Sequence, residues 1–147
     1  MDHEIDLPLG LARRGGHVAR ERCVYRRAMG LEWEQVVVAT PDPGALGRWW
    51  CEALGWVVVD DGPSVFEIRP QPDRLPGILF LAVDEPKQGK NHLHIDLRPD
   101  DQDAEVDRLI ALGASRRDVG QGDVSWVVLA DPEGNEFCVL QSYPATT

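Results

Sequence analysis

Residues 35–56, QVVVATPDPGALGRWWCEALGW, hold a strand, a capped helix and the signal that ends it. The β-branched run from Glu34 to Ala39 predicts a strand. Asp42 is a good N-cap, and Pro43 follows at the first helical position, where its missing N–H costs nothing. Leu46, Trp49, Trp50, Ala53 and Leu54 then recur at the spacing of one buried helix face. Gly55 supplies the left-handed residue that closes a helix. Three short strands are expected next, Trp56–Asp60, Ser64–Arg69 and Gly77–Val83, separated by Gly62-Pro63 and by the loop PQPDRLPG.

The same order returns downstream. His92–Leu97 (HLHIDL) alternates and predicts a strand, and Asp100 or Asp101 can cap a helix running through Ala111. Val106, Leu109 and Ile110 form its apolar stripe, and Leu112-Gly113 ends it as Leu54-Gly55 ended the first. Strands follow at Ser115–Val119, Ser125–Ala130 and Glu136–Gln141, the last two joined by the hairpin turn DPEGN at 131–135. Gly55 and Gly113 are 58 positions apart, as are Pro41 and Pro99. Two halves matched in order and length imply a duplicated βαβββ unit, with modules at about 34–84 and 92–142. The expected fold class is α+β, the two modules forming a curved mixed sheet around a cleft. Alternation turns Leu93, Ile95 and Leu97 toward the helix, and His92, His94 and Asp96 toward the cleft. In the final strand Glu136, Cys138 and Leu140 share one face, with Phe137 and Val139 on the other.

Charge narrows the partners. The chain carries 25 acidic against 15 basic side chains, a net charge of −10. Residues 1–30 hold six Arg against four acids, so the acidity belongs to the body, which repels phosphate backbones and anionic membranes. Neither nucleic acid nor membrane is an expected partner, and no apolar run approaches the roughly 20 residues that span a bilayer. Cys23, Cys51 and Cys138 are odd in number and far apart, which is no disulfide or zinc-ribbon framework and fits a reducing cytoplasm. Residues 1–30 read as a mobile extension preceding a domain at 31–147, and the regular pattern begins just after Met29, a candidate for the true start. The alternative is that this segment covers a neighbouring subunit.

The stretches QVVVATPDPGALGRWWCEALGW, HIDLRPDDQDAEVDRLIALGA and WVVLADPEGNEF, within residues 34–142, resemble the vicinal oxygen chelate superfamily. That superfamily includes glyoxalase I, bleomycin- and fosfomycin-resistance proteins and extradiol dioxygenases, and the likeness is to its generic bacterial glyoxalase-like members. The resemblance implies a divalent metal held by one residue from the first and last strand of each half. It would hold neighbouring substrate oxygens and act as a Lewis acid. Carried over, the first-strand positions are Gln35 and His94, the final-strand position is Cys138, and the end of the first half offers only Leu79 or Phe80. Both expected carboxylates are missing. His92 could contribute, or Glu136 could turn inward as ligand or base. Phe80, His92, Asp96 and Trp126 are expected to line the cleft, while Trp49 and Trp50 read as core.

Two readings follow. One is a metal-free protein that binds or sequesters a small, partly aromatic molecule. The other is a metal-dependent lyase, isomerase or dioxygenase using one Zn, Ni, Mn or Fe ion at Gln35, His94 and Cys138, with Glu136 as a candidate catalytic group. The resemblance also implies a homodimer.

Overall fold

A computed structural model describes residues 31–144. The expectations for residues 1–30, including the start at Met29, lie outside the described residues. The first module runs β1 (Gln35–Thr40), α1 (Pro43–Leu54), β2 (Val57–Asp61), β3 (Val65–Arg69) and β4 (Gly77–Ala82). The second runs β5 (Asp96–Leu97), α2 (Gln102–Leu112), β6 (Ser115–Arg116), β7 (Val127–Ala130) and β8 (Glu136–Val139). Each forms a four-stranded mixed sheet, in the orders β1-β4-β3-β2 and β5-β8-β7-β6. In both, the first strand pairs parallel with the last and the remaining pairs are antiparallel. The duplication read from the sequence is thus a duplication of topology.

The helix ends are set by local chemistry. The Asp42 carboxylate accepts from the Ala45 N–H at 2.9 Å, and Asp101 does the same for Ala104 at 3.0 Å. Asp101, rather than Asp100, is therefore the second cap. Gly55 and Gly113 both take positive φ at the C-terminal ends, where a side chain would be strained. On α1 the stripe Leu46, Trp49, Trp50 and Ala53 is buried as its spacing predicts. On α2 only Val106 and Leu109 are buried, and Ile110, expected in the stripe, is exposed. The sheet beneath α2 is smaller, because β5 and β6 have two residues each.

Both strands are shorter than expected, for identifiable reasons. Upstream of Asp96, the turn at 131–135 ends β8's pairing edge. The Asn91 N–H is taken at 3.1 Å by the Glu136 carboxylate instead of a strand carbonyl. Leu93 consequently does not pack against the helix and is 89% exposed. Beyond Arg116, a side-chain turn takes over. Gly120 N–H donates to Asp118 and Val119 N–H to Gln121, which diverts the backbone from the ladder.

The helix-bearing faces of the two sheets converge on one core, in which Phe66, Phe80, Leu46, Val106, Leu129 and Phe137 all take part. Side chains of the first module reach into the second. The indole N–H of Trp49 donates to Leu112 O at 3.0 Å, and that of Trp50 to Asp131 Oδ2 at 2.9 Å. The Trp50 and Phe137 rings meet edge to face with centroids 5.0 Å apart. The buried Thr40 hydroxyl donates to Glu133 Oε1 at 2.7 Å.

Glu133 makes this last contact pH-sensitive. Burial pushes its carboxyl up; the Thr40 hydroxyl opposes the shift, and the charges of Asp131 and Asp42 add to it. The folded state therefore binds the Glu133 proton more tightly than the unfolded chain does. Its contribution is fully present below the ordinary carboxylate range and is lost as pH rises through the raised value. Glu133→Gln should accordingly melt at a higher temperature than the parent at neutral pH, with the gap closing in acid. Thermal melts across that range check this, and a variant less stable than the parent at neutral pH would contradict it.

Candidate functional site

β1 and β5 are the end strands of their sheets, so among the described residues each has one edge without a strand partner. A cavity of about 1240 Å³ runs along these edges. Val36 to Ala39 of β1 line one side and His94 to Asp96 the other, and the linker from Val83 to Asn91 supplies further wall. Trp33, Trp50, Ile78, Leu93 and Phe137 add apolar surface. Consecutive β1 residues contribute because an edge strand presents both faces at its margin.

The linker is fastened by Glu136. Its carboxylate accepts from the Asn91 N–H and pairs with the Lys87 ammonium at 3.3 Å, while the Asn91 amide reaches Glu136 O at 3.4 Å. Lys87 also donates to Gly89 O. Burial alone would raise the Glu136 carboxyl, but the Asn91 N–H and Lys87 overcome it and hold it below the ordinary range. Glu136 is thus an ionised anchor with both oxygens engaged. Lys87 and Asn91 have no counterpart among the residues singled out from the sequence.

At the second module's end of the cavity, Asp96 and Cys138 are direct partners in the parallel ladder. His94 Nδ1 lies 2.9 Å from Asp96 Oδ1 and 3.7 Å from Cys138 Sγ. Donor atoms of the three residues all lie within 4.8 Å of one another. His94 and Asp96 are exposed, whereas Cys138 is buried beneath them. Burial pushes the Cys138 thiol up to about 11, and the charge of Asp96 and its hydrogen bond add to the shift. The free side chain is therefore a protonated thiol at neutral pH, unlike an activated nucleophile.

The other expected site residues are placed differently. Phe80 is a correction: it is fully buried in the core, because β4 turns Ile78 and Phe80 toward α1. Leu79, opposite Glu67 and Val37, takes the other parity. Gln35 stands opposite Gly77 at the start of β1 and is not among the residues that line the cavity. His92 and Trp126 are exposed and also lie outside that lining.

Two βαβββ modules, each a four-stranded mixed sheet, thus flank a largely apolar cavity along their end strands. The chain belongs to the glyoxalase-like domain family, whose model matches residues 35–140. No curated protein matches the chain. Among solved structures, a glyoxalase/bleomycin resistance protein/dioxygenase family enzyme from Burkholderia phytofirmans PsJN is similar, at 18% identity and a TM-score of 0.63. The alignment covers 77% of this chain and all (100%) of that one. A glyoxalase-related enzyme from Fulvimarina pelagi aligns at 14% identity and TM-score 0.56, covering 79% of this chain and 93% of its own. The bleomycin resistance determinant encoded on transposon Tn5 aligns at 15% identity and TM-score 0.53, covering 78% and 100% respectively. At these identities the likeness is one of fold.

Proposed function

We propose that this protein binds a small, largely apolar organic molecule in the cavity along β1 and β5. The observation that carries this reading is the cavity itself: about 1240 Å³, bounded by Val36, Val37, Val38, Leu93, Ile95 and Phe137, with His94 and Asp96 at one end. Apolar walls with a few convergent polar groups are the usual make-up of a ligand site. Electrostatics favour neutral or cationic ligands. Asp84, Glu85 and Asp96 line the space, and its lysine, Lys87, is already paired with Glu136.

A thermal-shift screen of aromatic amines, alcohols and carboxylates sharing one skeleton tests this. A cleft ligand at 100 times its Kd adds about 2.7 kcal/mol of stability. The amine and the alcohol are expected to raise the melting temperature, and Val37→Lys, at a position already 51% exposed, should abolish the amine's shift and reduce the alcohol's without unfolding the protein. No shift with any probe, or shifts indifferent to Val37→Lys, would remove the proposal.

A second reading is a metal-dependent lyase, isomerase or dioxygenase of the glyoxalase type, favoured by the clustering of His94, Asp96 and Cys138. A bound divalent ion would there supply Lewis acidity to neighbouring substrate oxygens. The partner expected for the whole molecule is a second copy. Leu81, outside the cavity lining, leaves exposed apolar surface on the first sheet, which a like chain would cover. Among the described residues no helix is long and apolar enough to cross a membrane.

A further inference from the structure

We propose that His94, Asp96 and Cys138 form a three-donor site for a thiophilic divalent ion of the zinc class, contained in the second module and open on its cavity side. The inference deepens the second reading above, and it replaces the ligand set carried over from the family. That set needs a donor from β4, where Leu79 is apolar and Phe80 is buried in the core. The second module instead brings together a nitrogen, an oxygen and a sulfur on its own strands.

Three observations support it. The ladder register sets Asp96 beside Cys138, and His94 precedes Asp96 by two residues, so the backbone brings the three together before any ion arrives. Their spacing is also close to what an ion requires. Zinc bonds of about 2.0 Å to nitrogen or oxygen and about 2.3 Å to sulfur, at tetrahedral angles, separate donors by about 3.3–3.5 Å. The observed 2.9 Å and 3.7 Å from His94 Nδ1 bracket that range, and the three donor atoms all lie within 4.8 Å of one another. The donor chemistry is selective as well. A thiolate, an imidazole and one carboxylate suit zinc, whereas magnesium and calcium prefer sites built of oxygen. Deprotonated Cys138 and Asp96 would together balance the charge of a divalent ion. Because His94 and Asp96 line the cavity and Cys138 lies behind them, the remaining coordination position faces the ligand space.

The test uses the full chain, free of affinity tag and stripped with chelator, titrated with Co²⁺ as a spectroscopic stand-in for zinc. One equivalent is expected to produce a near-ultraviolet thiolate-to-cobalt band, which one equivalent of Zn²⁺ removes and excess Mg²⁺ does not. The band should persist in Cys23→Ser and Cys51→Ser and vanish in Cys138→Ser. In Asp96→Asn it should survive with affinity weakened at least about tenfold. Absence of the band in the parent protein overturns the proposal even if Cys138→Ser fails to fold. So does a band that depends on Cys51 or Cys23, or one unchanged in affinity by Asp96→Asn. Repeating the probe screen on the stripped protein separates this failure from that of ligand binding, since the cavity's apolar walls remain.

Discussion

Asp131→Ala is expected to destabilise the protein by about 3–5 kcal/mol, because it strands several donors inside the fold at once. Asp131 is only 2% exposed. Its Oδ1 accepts from the backbone N–H groups of Glu133 and Asn135, each at 3.0 Å, and its Oδ2 accepts from Trp50 Nε1 at 2.9 Å. The Asn135 amide bonds to both oxygens. An alanine leaves these donors facing a small void, and each unsatisfied buried group costs about 1–3 kcal/mol. Asp131→Asn keeps one acceptor oxygen but turns an amide donor toward other donors, so an intermediate loss is expected. Denaturant unfolding followed by tryptophan fluorescence measures both. A loss below about 1 kcal/mol for the alanine variant would mean that water replaces the carboxylate without penalty.

Gly47 is the second position where a small change should have a large effect. It lies in the middle of α1 against Phe66, and a Cβ there would sit 2.2 Å from Phe66 Cδ1 and 2.8 Å from Cγ. Phe66 is fully buried in the shared core. Gly→Ala in a helix interior ordinarily gains up to about 1 kcal/mol. At Gly47 that gain is overwhelmed, since over-packing costs about 1–3 kcal/mol and here the overlap falls on a ring with little room to retreat. Gly47→Ala is expected to lose stability, and Gly47→Val to lose about 3 kcal/mol or more. Phe66→Leu alone should also destabilise, yet in combination with Gly47→Ala it should cost less than the two losses added. That coupling distinguishes ring overlap from a general helix defect. An alanine variant as stable as the parent would show that Phe66 can move aside.

The contrast between these two residues bears on what the sequence could disclose. Helix limits were legible because their determinants are local: Asp42 with Pro43 at one end of α1, and Gly55 at the other, act within a few residues of themselves. The turn at 131–135 was legible as a turn for the same reason. Its second role, anchoring Trp50 of the other module, depends on a residue 81 positions away and left no local mark. Register-dependent features were hidden in the same manner. Whether Leu79 or Phe80 turns inward is fixed by β4 pairing with β1 and β3, and the curtailment of the strand expected at His92–Leu97 is fixed by where β8 begins. Of the candidate residues, His94 and Asp96 lie beside the cavity, but so do Leu93 and Ile95, which alternation turned the other way, because the chain before Asp96 is not in the ladder; where Gln35, His92 and Trp126 lie depends on how the two sheet edges run.

The sharing of α1's indoles between modules has a consequence for the order in which the protein is made. Trp49 and Trp50 emerge from the ribosome well before their acceptors, which lie 63 and 81 positions further on. At translation rates of about 5–20 residues per second, that is a wait of about 3–16 seconds. During it the nascent first module carries two large aromatic side chains whose burial sites have not yet been synthesised. The duplicated halves are alike in plan but unequal in synthesis: the earlier one is completed only by the later.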